Sequence, residues 1–413
     1  MAGKTVLILG GGTGGIVAAN ELRKLLAPEH RIVLMEKEAQ HAFAPSFLWL
    51  MTGARAPGQV VRDVRQMVRH GVEVLVEQAE AIDLANRSVT ASSQTLSYDY
   101  LIVSLGAELA LEMIPGLMET AHTFYTFDGA IKLHAALRDF GGRSIATVVS
   151  SIPYKCPGAP HEGAMLIADL LRRGGLRNKV SLHLFTPEPQ PMPVAGPVLG
   201  AAVNKMLEAS GITFHPLHKL LSVDASTREL RFEGQPPLTP DLLVAIPPHR
   251  GHHILRDAGL ANEAGWVPVD RKTLATRQER VYAIGDAAAV QIPGRWNTVV
   301  PMLLPKAGVF AHAEAQVVAR NIAAELGGSA RRVEFLGDGY CALECGEGRA
   351  GFAFGDFFAE PNPKIELRQP GRRWHLGKVL FEQYWLGGGV RREALRIAVN
   401  LGARVSGVPA LLQ

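Results

Sequence analysis

The pattern between Thr5 and Glu36 restricts the fold more than any other stretch of the chain. A short apolar run, Thr5 to Leu9, meets Gly10-Gly11-Gly12-Thr13-Gly14-Gly15, and a helical pattern follows from Ile16 to Leu26. A second apolar run, Arg31 to Met35, ends in Glu36. Strand, glycine turn, helix and strand at this spacing make a βαβ unit. Glycines at positions such as Gly10, Gly12 and Gly15 let backbone amides approach a pyrophosphate at the helix N-terminus, and an acid about 20 residues on accepts from a ribose hydroxyl. The unit predicts a dinucleotide site without saying which dinucleotide.

Two later segments have the look of its companions. Tyr98 to Ala107 reads as a strand that closes on a small-residue turn at Gly106, and Arg280 to Ala287 as a strand that closes on Gly285 and Asp286. Between them lies a second strand-turn-helix frame, with a β-branched run from Ile145 to Val149 and a helical pattern from Met165 to Leu171. Its glycine loop is missing. The segment Ser150-Ser151-Ile152-Pro153-Tyr154-Lys155-Cys156-Pro157-Gly158-Ala159-Pro160-His161-Glu162 stands there instead, and Pro157 and Pro160 remove two amide donors. A thiol takes the place that this half of the fold usually gives to a nicotinamide.

The expected architecture is α/β. Two Rossmann-like domains of the FAD/NAD(P) type are present, the second inserted in the first, with a small C-terminal domain and an amphipathic helical tail. The boundaries read as 1–112 and 265–336 for the first domain, 113–264 for the insertion carrying Cys156, and 337–413 for the C-terminal piece. A chain of 413 residues accommodates these domains and their cores.

Three cysteines exclude a disulfide framework, so each must be argued singly. There is no run of about 18 apolar residues, so no spanning helix is expected. Nothing ahead of Thr5 reads as a secretion signal. The net charge of +4 is modest, but residues 364–404 hold nine Lys/Arg against three Glu. That local excess points to an anionic surface, and lipid headgroups suit it better than nucleic acid because no nucleic-acid-binding motif accompanies the arginines.

With these motifs and the Tyr340-Cys341-Ala342-Leu343-Glu344-Cys345 segment in hand, the chain resembles the sulfide:quinone oxidoreductases and the flavin subunits of flavocytochrome c sulfide dehydrogenases. The specific elements are Tyr154-Lys155-Cys156-Pro157-Gly158, Ala245-Ile246-Pro247-Pro248, Leu304-Pro305-Lys306-Ala307-Gly308 and Phe381-Glu382-Gln383-Tyr384-Trp385-Leu386. The resemblance implies FAD as cofactor, sulfide and a quinone as substrates, and two cysteines flanking the flavin ring, which map to Cys156 and Cys341. Many members carry a third cysteine upstream; residues 1–155 here contain none.

Cys156, at a helix start beside Lys155, is expected to have a depressed pKa. Lys306 is placed at the N-terminus of a helix over Ala307 to Ala323, where it can stabilise negative charge on the cofactor. Glu162 and His161 are candidates for moving protons. Cys345 reads as core packing. His41, His249, His252 and His253 show no metal-ligand spacing, so no metal is expected.

In the tail, Val390, Ala394, Ile397, Ala398, Leu401 and Val405 recur at helical spacing, and Phe381, Tyr384 and Trp385 precede them. This reads as a monotopic membrane anchor at a quinone entrance, with the aromatics at headgroup level. A terminal helix packing on the body or on a second copy would show the same stripe, and the oligomeric state stays open. The competing functions are a sulfide dehydrogenase delivering electrons to a cytochrome, a type II NADH:quinone oxidoreductase, and a non-catalytic flavin redox sensor.

Overall fold

The computed structural model describes residues 3–296 and 302–408, apart from the side chain of Val390. Five strands form a parallel sheet in the order Val281–Ala283, Tyr100–Val103, Thr5–Leu9, Arg31–Glu36, Glu73–Val76. The three central strands are apolar almost throughout because both faces of the sheet are covered. One cover is the helix Thr13–Leu25, packed against the helix Gly308–Leu326. Gly15 makes the strand-to-helix turn possible, since a Cβ there would meet Gly10 O at 1.9 Å.

The inserted domain repeats the plan. Its parallel sheet runs Ile212–His215, Ser181–Phe185, Ser144–Val149, Leu242–Ile246, with the helix Ala159–Arg173 after the third of these. The chain leaves the first domain along Ala107–Leu109 and returns along His249–Gly251, and these two short strands pair antiparallel. Ile254, Leu255 and Leu260 already belong to the first core, so that core resumes ahead of Gly265.

The C-terminal piece is a three-stranded antiparallel sheet, Asp338–Gly346, Arg349–Asp356 and Lys364–Gly371, followed by helices Arg372–Leu386 and Gly389–Val405. Here the expectation for the aromatics is corrected. Tyr384 and Trp385 are buried in the first core and not at a lipid-facing surface. Trp385 donates from Nε1 to His41 Nε2 (2.9 Å) and stacks on Phe43. Glu382, one turn back, accepts from Arg55 (2.8 Å) and Ser46. The helix is thereby clamped to the body, and its aromatic rings serve that clamp.

The last helix has two apolar faces. Leu395, Val399 and Ala403 turn inward, whereas Ile397 (58%), Leu401 (61%) and Val405 (81%) are exposed, with Ala394 and Ala398 beside them. The predicted stripe therefore lies on the outside, except that the Val390 side chain falls outside the described residues. Among the described residues no helix is long and apolar enough to cross a membrane.

Candidate functional site

Where the two nucleotide-type domains and the C-terminal sheet meet, they enclose a cavity of about 1380 Å³. Cys156, Glu162, Asp286, Lys306, Cys341, Phe381 and Trp385 all line it; Tyr384 and Cys345 do not. The Cys156 loop leaves the strand Ser144–Val149 and is pinned to the first domain, for Cys156 N–H donates to Lys306 O at 2.6 Å. Cys156 itself sits in the left-handed region at φ +56°, an uncommon conformation for a side-chain-bearing residue. Cys341 comes from the strand Asp338–Gly346 and faces the start of the Cys156 helix. A Cβ on Gly158 would lie 3.5 Å from Cys341 Sγ and 2.6 Å from Leu343, so glycine is what lets the loop and the strand approach. Both thiols are free.

The expected low pKa of Cys156 is reversed. Burial pushes its thiol up to about 12, with Glu162 adding to the rise, and burial raises Cys341 well above its usual range. The helix begins only at Ala159, and the cation that opposes the rise is Lys378 from a distant helix. Lys378 Nζ makes a 2.5 Å ion pair with Glu162, whose carboxylate also accepts from Glu344 N–H. One turn along the same helix, His375 Nδ1 lies 2.9 Å from Glu344 Oε2. Two buried carboxylates, Lys378 and the partly exposed His375 thus stand in one group behind the cysteines. Nothing in the sequence brings Lys378, Glu344 or His375 to Cys156.

Lys306 precedes the helix Gly308–Leu326, one residue later than expected, and is buried. Its ammonium donates to Asp286 O (2.6 Å) and Ala288 O (3.2 Å) and lies 3.6 Å from the centre of the Trp266 ring. Burial lowers its pKa to about 8, opposed by Asp286 and Glu314. Glu314 in turn accepts from Gly285 N–H at 2.6 Å and is pushed up to about 7 by burial.

The glycine turn of the first domain is open on one side. Gly10 is at φ +99°, and a Cβ there would meet Ser104 O at 2.3 Å. Gly12 and Gly106 have nothing within 4 Å of the Cβ direction, which leaves their backbone faces open to a ligand. Glu36 Oε2 accepts from Gly11 N–H at 2.5 Å, keeping the acid beside the turn. Thr13 and Asp286 connect this end to the cavity, although Gly10, Gly12, Gly15, Glu36, Gly106 and Gly285 are not themselves on its wall.

In the inserted domain the acid at the corresponding place is already hydrogen-bonded to the chain itself. Glu188, just past the strand Ser181–Phe185, is buried and accepts from Tyr154 Oη at 2.8 Å and from Thr186 Oγ1 at 3.3 Å. Tyr154 belongs to the loop that replaced the glycines. Cys345 is half-buried against the inserted domain's core, with Sγ 3.2 Å from Arg349 O.

Comparison with known protein families matches residues 4–311 to the pyridine nucleotide-disulphide oxidoreductases. The chain belongs to that family. It is an oxidoreductase with the α/β two-domain fold expected of it. Over 394 residues it is 26% identical to the sulfide-quinone reductase of Aquifex aeolicus, covering 93% of this chain and 90% of that one. The mitochondrial sulfide:quinone oxidoreductase of Mus musculus is 27% identical over 299 residues, 68% of this chain and 65% of that one. The X-ray structure of the Aquifex aeolicus sulfide:quinone oxidoreductase superposes with a TM-score of 0.83 over 95% of both chains at 24% identity, a likeness of fold.

Proposed function

We propose that this oxidoreductase oxidises sulfide to persulfide sulfur at Cys156 and Cys341 and passes two electrons through FAD to a membrane quinone. The observation that carries the reading is the single cavity. It holds both cysteines together with Asp286 and Lys306, and it extends past the half-buried Leu380 and Phe381 to Ala398, which is exposed on the last helix. The similarity to sulfide-quinone reductases supports the choice of substrates.

The residues fit FAD. Gly10, Gly12, Gly15 and Glu36 would hold its adenosine and pyrophosphate end, Gly106, Gly285 and Asp286 the ribityl side, and Lys306 the ring. Bound there, FAD supplies a two-electron acceptor beside the thiols and a donor to the quinone. The chain's own part is sulfur chemistry and proton handling. In the oxidised enzyme, hydrosulfide attacks one sulfur of a Cys156–Cys341 disulfide; a new S–S bond forms, the old one breaks, and the products are a cysteine persulfide and the partner thiolate. Sulfide is the electron donor and the disulfide is reduced. Lys378 steadies the thiolate released, and Glu162 accepts the proton left by sulfide.

The NADH:quinone reading conflicts with the Tyr154–Glu188 bond, which occupies the acid a nicotinamide nucleotide would need. The test is direct. Purified protein mixed anaerobically with sulfide should lose its flavin absorbance within seconds, and NADH should leave it unchanged. Bleaching by NADH at a comparable rate would replace this reading by the NADH dehydrogenase one.

The outward stripe of the last helix is the proposed membrane contact, and Arg391 and Arg404 are exposed on the same helix. Changing Ile397, Leu401 and Val405 together to serine should release the protein from anionic liposomes while sulfide still bleaches the flavin. Unchanged liposome binding would mean that the stripe serves a second copy of the chain or another protein.

A further inference from the structure

The geometry points to a second site, away from the cysteines: a transition-metal site of the Zn2+ class, formed by Glu108, His252 and His253 on the ribbon that links the two domains. Its three ligand atoms all lie within 4.8 Å of one another. Glu108 Oε1 is 3.5 Å from His252 Nε2 and 3.3 Å from His253 Nδ1. A tetrahedral ion with bonds of about 2.0–2.1 Å holds its ligands about 3.3 Å apart, so both measured edges suit one such ion.

No sequence spacing announces the site, because adjacent histidines are not a chelate by themselves. The third ligand arrives by strand pairing. Glu108 stands opposite Arg250 in the ribbon, and the histidines follow two and three residues later. Arg250 then fixes the carboxylate. Its Nε donates to Glu108 Oε2 at 3.0 Å and its Nη1 to Glu112 at 2.6 Å, which leaves Oε1 turned to the imidazoles. Such outer contacts orient metal ligands and set their geometry.

The donor set chooses the ion. Two imidazoles and one carboxylate suit Zn2+, Co2+, Ni2+ or Cu2+, whereas Mg2+ and Ca2+ require more oxygens. His253 is half-exposed at 55%, which leaves water a fourth position.

The consequence lies in the chain's topology. The insertion begins after Leu109 and ends before His249, so an ion joining Glu108 to His252 and His253 closes the whole inserted domain as one loop. Clips that close long loops remove the most freedom from the unfolded chain. The ion is accordingly a clamp on the domain junction, and no step of the sulfide chemistry passes through it.

The test uses the full chain with its flavin, stripped with chelator and with its thiols alkylated so that Cys156, Cys341 and Cys345 cannot compete. Titration with ZnCl2 in a calorimeter should show one equivalent bound at micromolar Kd or tighter. The apparent Tm should rise by roughly 2–5 °C at a hundredfold excess over Kd. Glu108→Gln and His253→Asn should each weaken binding at least tenfold and abolish the Tm shift. Retention of the bound equivalent in both variants, or no binding below millimolar zinc, overturns the site. Anomalous diffraction from wild-type crystals soaked in zinc decides independently of any variant: a scatterer between Glu108 and His253 supports the clamp, and one elsewhere refutes it.

Discussion

Cys156→Ser and Cys341→Ser should each lower sulfide-dependent quinone reduction by ~10³-fold or more, as expected when one member of a unit that acts together is removed. FAD content should stay near that of the wild type. Gly10, Gly12, Gly15 and Glu36, proposed to hold its adenosine and pyrophosphate end, lie outside the cavity wall that holds the thiols. Serine keeps nearly the volume of cysteine, so packing around Gly158 and Leu343 survives, but its oxygen cannot form the S–S bond that captures sulfide. Cys345→Ser supplies the control. Its sulfur does not reach the cavity wall and lies 3.2 Å from Arg349 O, so turnover at equal flavin content should be close to wild type. Stopped-flow flavin reduction at a fixed sulfide concentration separates the three variants. Wild-type rates in either Cys156→Ser or Cys341→Ser would remove the cysteine pair from the mechanism.

The first domain was legible because its strands are apolar on both faces and its glycines sit where the turn needs them. The inserted domain was legible for the same reason, even without its glycine loop. Its return point was not. The linking ribbon is three residues on each side, too short to carry a periodic signal, and so the first core was placed from Gly265 when it already includes Ile254. The two tail predictions diverged in an instructive way. The stripe from Ala394 to Val405 does face outward, but Tyr384 and Trp385 face the core, because an aromatic with an apolar body and a polar tip suits a buried hydrogen bond to His41 as well as a lipid headgroup. Composition cannot choose between those partners. The charge environment of Cys156 was the least legible part of the site. Lys155 is its neighbour in sequence, but the opposing cation is Lys378, brought in by the C-terminal piece, and no local pattern reports a contact made between domains.

That buried cation gives the most discriminating test of how the site handles charge. Lys378→Met removes the partner of Glu162 and the cation that lowers both thiol pKa values. Breaking a buried ion pair from one side costs about 3–5 kcal/mol, so the variant should denature at clearly lower urea concentration. The pH at which Cys156 becomes reactive to iodoacetamide, followed by mass spectrometry, should move upward. Glu162→Gln acts with the opposite sign. It removes a carboxylate that raises the thiols and leaves Lys378 in place, hydrogen-bonded to Ala342 O at 3.3 Å, so the alkylation midpoint should move downward. In turnover, Glu162→Gln should nonetheless slow sulfide oxidation, since the group proposed to accept the proton is gone while the thiolate is easier to form. A purely structural role for the pair predicts lower stability in both variants and no divergence in thiol reactivity. If the two alkylation profiles shift in the same direction, the charges of Lys378 and Glu162 do not govern the cysteines, and the proton of sulfide must leave by another route.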